Sequence, residues 1–588
     1  MHPADRDRFW NRLAIASCAL LAFGVLGPAW LFCFRYDHAH VACALSINRN
    51  SQTDDWRHFV LTWEAARVAL VDFHQFPSWN PYHCGGIVLY QDPQTPFPGP
   101  LFFLSVLGLP SVATMKLWIY VHLLTGALGA RALARSRGAN IPEQLLAATI
   151  VTASSSITVR IGGGHFSFLA FQFLPYLLLA QSRAASNPRA SVVVAGLLAL
   201  TVYEGGTYPL PLMSIALTVD AVARFLRPHL RRGIARHCVT VAVLFPLLSA
   251  ARLLPVAAFL RTHPRVTPLD DRLSLRDILA SWLARSHPWE NPPHPYVWGE
   301  YTNYIGPVVF ALLLAGLCLA VVNRARGAGE RRIDAAIFVF LIACAFGAVS
   351  SYAPYSLLHH LPLFRSLRVP ARFLGVANVP LALLAVSALR SLRERLATHA
   401  RSAHVFELFV LAIVAADLLL VSIPNSQMGM DLPLARRAAS DAFRQTPSAD
   451  YDRVGTFPTT ATGTPTCYTP LQWTVAPGTG SMPENFAVAP ANPHALRVER
   501  WSPNEVRFAV DTELQRVAVL NQNWDSGWQA TGVHLVSIGG LVGFRLVPGQ
   551  YRVVLRHRPP LLGLGLAVSL IGLVLAVVHW RRHRPDVS

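Results

Sequence analysis

Two adjacent aspartates, Asp54 and Asp55, open the run Asp54-Asp55-Trp56-Arg57-His58. An aromatic, proline-rich stretch follows, Phe76-Pro77-Ser78-Trp79-Asn80-Pro81-Tyr82-His83-Cys84-Gly85-Gly86, and then Gln91-Asp92-Pro93-Gln94-Thr95. A carboxylate beside a membrane suits one task well: general base on an acceptor hydroxyl, provided that it stays ionised at working pH. Either aspartate also fits as a helix N-cap, because Phe59 to Val71 has amphipathic spacing. Asp92 and His83 are candidate supporting groups, while Trp79 and Tyr82 read first as interface anchors. Other candidates follow: Gly162-Gly163-Gly164-His165 supplies His165, and Tyr203-Glu204-Gly205-Gly206-Thr207-Tyr208 supplies Glu204. A carboxylate at that depth must face protein or water, in the bland case through a hydrogen bond to Tyr208. Lys116, Arg252, Arg365, Arg368 and Arg372 lie at outer span ends, where positive charge is disfavoured. Misplaced cations call either for an anion such as phosphate or for an ion pair in the same cavity.

Apolar helices must position these groups. The chain of 588 residues is 53% hydrophobic and 14% charged, outside the range of soluble domains. Its formal charge of +19 sits mainly on arginines in short connections, which points to the anionic cytoplasmic leaflet and away from nucleic acid. Eight scattered cysteines without CxxC or Cys/His spacing argue against a zinc site or a disulfide framework. The abundance of arginine over lysine suggests a GC-rich bacterial source.

Runs of about twenty apolar residues lie near 13–34, 112–134, 143–161, 165–182, 190–204, 208–226, 237–260, 304–323, 333–350, 372–390, 404–423 and 561–580. The first is read as a retained span rather than a signal peptide. With both termini cytoplasmic, every even-numbered connection carries arginine, from Arg131/Arg135/Arg137 to Arg390/Arg393/Arg395/Arg401. The expected fold is therefore mainly α and polytopic, with about 12 transmembrane helices. Its divisions are a transmembrane module over 1–423 with a first extracytoplasmic loop at 35–111, an extracytoplasmic β-rich domain over 424–560, and a last helix with a cytoplasmic tail over 561–588. Alternating segments Val506–Val510, Gln515–Leu520, Val533–Ile538, Gly543–Val547 and Tyr551–Arg556 predict the strands. Residues 97–110 are too short to span and are expected to re-enter or lie flat.

The first-loop segments Phe76 to Tyr82, Gly85-Gly86 and Asp92-Pro93-Gln94 resemble the signature of YfhO-like bacterial membrane proteins, a branch of the GT-C glycosyltransferase superfamily. Agreement extends to Gly164-His165, to Leu361-Pro362 through Arg368-Val369-Pro370-Ala371-Arg372-Phe373, and to Asn523-Trp524 through Gly527-Trp528. It continues in Val547-Pro548-Gly549-Gln550-Tyr551 and Arg556-His557-Arg558-Pro559-Pro560. The resemblance implies sugar transfer, with inversion, from a polyprenyl-phosphate-linked donor to an envelope glycan, lipid or protein acceptor on the outer face of the bacterial inner membrane. It puts the base at Asp55 or Asp54, with Asp55 preferred, and cationic groups at Arg368 and Arg372 near the donor phosphate. A divalent metal on Asp54/Asp55 with Asp92 or Glu204 is open on this reading, and no residue is assigned as a metal ligand. The competing classes are a lipid-linked-sugar transporter or flippase and a non-catalytic scaffold for envelope assembly. A transporter would show inverted repeats, and none is visible in the sequence.

Overall fold

The computed structural model describes residues 3–27, 54–285, 294–322, 328–396, 400–427, 443–445, 457–468, 486–492 and 494–583. Its helices are α1 (Pro3–Leu26), α2 (Asp54–Val71), α3 (Ser111–Ser136), α4 (Ile141–Ala153), α5 (Ser155–Gly162), α6 (Leu174–Ser182), α7 (Arg189–Tyr203) and α8 (Pro209–Phe225). They continue with α9 (Arg231–Thr262), α10 (Leu275–Leu283), α11 (Pro307–Val322), α12 (Ala328–Ala345), α13 (Arg372–Arg395), α14 (Ala400–Gln427) and α15 (Leu562–Arg582). Every apolar run has a helix over much of its described part, the fourth partly as a 3-10 turn over Phe166–Phe173, while residues 28–34 of the first run and 323 of the eighth lie outside the described residues. Seven helical stretches are long and apolar enough to cross a bilayer, α4 and α5 together making one, so the chain is a multi-pass membrane protein. Others, such as α7 and α11, are shorter, and the number of crossings is not fixed at twelve.

The helix breaks are placed by polar chemistry. Asn140 caps α4 by accepting the Glu143 backbone N–H, and Glu143 returns a bond to the Asn140 N–H. Ser154 is extended and separates α4 from α5. The interrupted ladder is re-satisfied by neighbours: the Ser155 N–H donates to the Tyr304 carbonyl, the Tyr304 N–H donates to Ser155 Oγ at 2.6 Å, and Asn378 Nδ2 donates to Ser154 Oγ at 2.8 Å. Pro255 inside α9 removes the N–H that would bond the Ala251 carbonyl, and the Tyr90 hydroxyl takes its place at 2.9 Å.

The C-terminal region before α15 is a β-sandwich. Its strands are β1 (Phe486–Ala489), β2 (Leu496–Ser502), β3 (Glu505–Thr512), β4 (Arg516–Asn523), β5 (Trp528–Thr531), β6 (Leu535–Ile538), β7 (Leu541–Leu546) and β8 (Gly549–His557). Two antiparallel four-stranded sheets, β6-β7-β4-β1 and β2-β3-β8-β5, enclose Phe508, Leu520, Val542, Phe544, Val553 and Leu555. The sequence pattern predicts five of these strands. It misses β1, β2 and β5, of which β2 is interrupted by a register shift near Val498 that breaks the alternation.

The first loop is built against this sandwich. Trp79–Asn80 pairs with Ile87–Val88 as a short ribbon. Trp79 Nε1 donates to Gln522 Oε1 at 2.7 Å, and Asn523 Nδ2 donates to the carbonyls of Cys84 and Gly86 at 2.6 and 3.0 Å. Cys84 and Cys467 form a disulfide, a covalent link that scattered cysteine spacing does not predict. The Pro96 to Pro110 stretch holds only a 3-10 turn, Pro100–Phe102, and one helical turn, Phe103–Val106, with Leu107 exposed at its edge.

Candidate functional site

Asp55 is positioned by the start of α2, which docks on the end of α5. Trp56 Nε1 donates to the carbonyls of Ile161 and Gly162 at 3.0 and 2.9 Å. Gly164 has φ +79°, and a Cβ there would stand 2.5 Å from the Trp56 backbone nitrogen, so only glycine lets the two segments approach. The next residue, His165, then meets Asp55: its Nε2 lies 2.7 Å from Asp55 Oδ2. The other ring nitrogen, Nδ1, lies 3.3 Å from the Arg160 guanidinium. Guanidinium can only donate, so Nδ1 holds the lone pair and Nε2 carries the proton given to Asp55. The side chain of Asp54 is outside the described residues.

Arg160 continues the network inward. It is ion-paired with Glu300, and Arg372 reaches the same carboxylate with contacts of 2.8 and 2.9 Å. Arg372 also stacks over the Tyr208 ring at 4.0 Å, and Arg160 lies 4.9 Å over Phe168. Burial raises the Glu300 pKa, but the two guanidinium groups outweigh it and hold the carboxyl well below its usual range. A cavity lined by Ser156, Arg160, Gln172, Glu300, Asn303 and Arg372 opens beside this cluster.

A second set of groups meets Asp55 from other directions. Tyr468, next to the disulfide, places its side chain in hydrogen-bonding contact with Asp55. Its backbone N–H donates to His83 Nε2 at 3.2 Å, and its backbone also bonds His58. Burial pushes the Asp55 pKa up, yet His165, His58 and Tyr468 together hold it below the usual carboxylate value. Asp55 is therefore ionised at neutral pH, and its side chain keeps 18% of its surface exposed, so a hydroxyl can reach it. Burial lowers the His58 pKa, with Asp92 and Asp55 opposing the shift. Burial likewise takes His83 well below its ordinary value, helped by the His58 charge. His83 is a neutral acceptor for the Tyr468 backbone. Asp92 is buried, which raises its pKa, and its Oδ1 accepts the Gln94 N–H at 2.9 Å.

The arginines divide into two kinds. Arg252 does not wait for an anion: it donates to the backbone carbonyls of Tyr90, Asp92 (2.6 Å) and Thr95 (2.9 Å), clamping the first loop to α9. Arg372 shares the single carboxylate of Glu300 with Arg160, so the trio keeps one net positive charge beside the cavity. Arg368 differs. Its guanidinium lies 5.0 Å over the Tyr296 ring, and among the described residues no carboxylate pairs with it. Arg265, Arg368 and Arg372 all act electrostatically on Tyr208, and Arg265 acts on Asp92 as well. Glu204 pairs with His122 at 2.8 Å rather than with Tyr208. Lys116 is buried at the start of α3.

Among the described residues no group of three or more His, Cys, Asp or Glu side chains has a metal-holding arrangement. Sequence reasoning misses Glu300, Arg160, Tyr468 and His58. The signal for Glu300 was present: buried arginines on the outer side require a carboxylate from that side.

No family model matches the chain, and no curated protein matches it. The resemblance to YfhO-like proteins thus rests on the segments quoted above. Among solved structures, the arabinofuranosyltransferase AftD from Mycobacteria is similar, with 17% identity over 74% of this chain and 30% of that one, and a TM-score of 0.46. A point variant of AftD gives 16% identity, coverage of 78% and 32%, and a TM-score of 0.45. The chain spans about a third of the length of these structures.

Proposed function

We propose that the chain is a membrane glycosyltransferase of GT-C type, which moves a sugar from a polyprenyl-phosphate donor to a cell-envelope acceptor on the extracytoplasmic face. The observation that carries this reading is Asp55, an ionised and reachable carboxylate oriented by the proton of His165. Asp55 takes the proton of the acceptor hydroxyl while that oxygen attacks the anomeric carbon from the face opposite the phosphate. The bond between the anomeric carbon and the phosphate oxygen breaks, and configuration inverts. Arg368, with Arg265, meets the charge that develops on the departing phosphate, a role supported by their shared electrostatic action on Tyr208. Arg372, Arg160 and Glu300 hold His165 and Tyr208 in place. His83, Asp92 and Arg252 shape the loop that borders the site.

The same reading sets the chain in a bacterial inner membrane with both termini cytoplasmic, about 12 spans, and a β-rich domain outside. The test uses the full chain in nanodiscs with radiolabelled polyprenyl-phosphate sugars and envelope acceptors. Wild type should transfer label, Asp55→Asn should not, and Arg368→Ala should be slowed. Undiminished transfer by Asp55→Asn overturns the site. Movement of intact donor across vesicles, with no transfer, replaces the enzyme by a transporter.

A further inference from the structure

The ends of α7, α9 and α15 remote from Asp55 enclose a second cleft, lined by Pro188, Ser191, Gly233, Arg236, His237 and His579. Along α9, His237 lies fifteen residues before Arg252, about 22 Å away along the axis, so this cleft is at the opposite end of the bundle from the first loop. Ser191 and His237 are buried, with Ser191 Oγ 2.9 Å from His237 Nδ1. Arg189 Nε donates to the Trp580 carbonyl at 3.1 Å while its guanidinium covers the Trp580 ring at 4.9 Å, which ties α7 to α15.

The charge around this cleft is one-sided. Arg189, Arg236, His579 and Arg582 all lie close enough to act electrostatically on His583. Among the described residues none of these arginines has a carboxylate within 4.0 Å. Asp220, the carboxylate that reaches His237 electrostatically, is already held by Arg224 and Gln181, each at 2.8 Å. Uncompensated cations around a partly buried polar cleft at the membrane interface recognise phosphate. The outer face of α15 runs away from the cleft as an exposed apolar ridge of Leu570, Leu573, Val574 and Val577. Acyl chains can follow that ridge while the headgroup stays in the cleft.

We infer that this cleft binds the phosphate-bearing headgroup of an anionic phospholipid, at a site separate from that of Asp55. The binding does not depend on the proposed transfer activity. The test uses the full chain, delipidated in detergent, and native mass spectrometry with phosphatidylglycerol, phosphatidylcholine or inorganic phosphate. Phosphatidylglycerol should bind at least about tenfold tighter than phosphatidylcholine, a difference of about 1.4 kcal/mol. The double variant Arg236→Gln/Arg582→Gln should lose that preference with its thermal midpoint unchanged, whereas Arg261→Gln, at the other end of α9, should keep it. Equal binding of the two lipids, or an unchanged preference in the double variant, overturns the site. Displacement of phosphatidylglycerol by millimolar inorganic phosphate overturns the lipid as source and leaves a soluble phosphate. If the double variant does not fold, Arg236→Gln alone is read on the same scale.

Discussion

Two charged clusters sit at opposite ends of the bundle and are made of nearly the same side chains. At the end remote from Asp55, Glu330 receives Arg137, Arg224 at 2.8 Å and Arg227 at 3.1 Å, while Asp334 takes Arg137 at 3.2 Å and Asp220 takes Arg224 at 2.8 Å. Every carboxylate there meets guanidinium directly. At the Asp55 end Glu300 is met in the same way by Arg160 and Arg372, but the Arg160 guanidinium reaches Asp55 through His165 rather than directly. An arginine on Asp55 would occupy its lone pairs and lower its basicity further. An imidazole inserted between guanidinium and carboxylate orients the oxygen and leaves it available. The Glu330 cluster closes helix ends, whereas the Glu300 cluster ends in an ionised, reachable carboxylate, the proposed base.

The largest expected effect tests that difference. Asp55→Asn should reduce transfer by about a hundredfold or more, the usual contribution of a general base, without a comparable loss of stability. Removing a saturated carboxylate should do the reverse. Glu300→Gln leaves two buried guanidinium groups unbalanced and should cost about 3–5 kcal/mol in unfolding measurements. Glu330→Gln, whose side chain is 30% exposed, should cost about 2 kcal/mol and leave specific activity in the surviving protein near wild type. If Glu330→Gln abolishes transfer while Asp55→Asn does not, the two clusters have been assigned the wrong way round.

A pH scan sharpens the comparison further. Burial, with Asp270 assisting, pushes Asp271 up to about 6. The folded chain then retains a proton that the unfolded chain, titrating near 3.9, has released. Stability should fall as pH rises from about 4 to 6, by about 2 kcal/mol, and Asp271→Asn should flatten that slope. Asp55 is shifted the other way, so the acid limb of the transfer rate should lie below the ordinary carboxylate range. An acid limb near pH 6 that persists in Asp271→Asn would point to a different base. The smallest change is Tyr468→Phe, which removes one hydrogen bond from Asp55 and should slow transfer about tenfold, equivalent to about 1.4 kcal/mol, with the fold intact. No change in the rate or its pH profile would reduce Tyr468 to packing.

The apolar runs, the arginine bias and five of the eight strands are legible along the chain because each is a local pattern of period or composition. The candidate base is legible for a similar reason, since an acidic pair at the start of an outer helix stands out. His165 is readable as a candidate but not as a partner, because nothing local says that Gly164 brings α2 within 2.5 Å of where a side chain would be. Arg252 and Arg372 look alike in sequence, as arginines in apolar surroundings. One clamps loop carbonyls and the other answers Glu300, a distinction made only by what packs against each.

By itself, then, the sequence determined that this chain lives in a membrane, that its arginines gather in the short connections between apolar runs, and that its long first loop carries acid. Those properties follow from transfer free energies that add residue by residue. Tertiary structure decided which charges are spent and which are left over. Glu300 lies 140 residues from Arg160, Tyr468 reaches Asp55 beside a disulfide spanning 383 residues, and Glu204 finds His122 on another helix. The cost of burying a charge depends on the partner that arrives in space, and no pattern along the chain encodes that arrival.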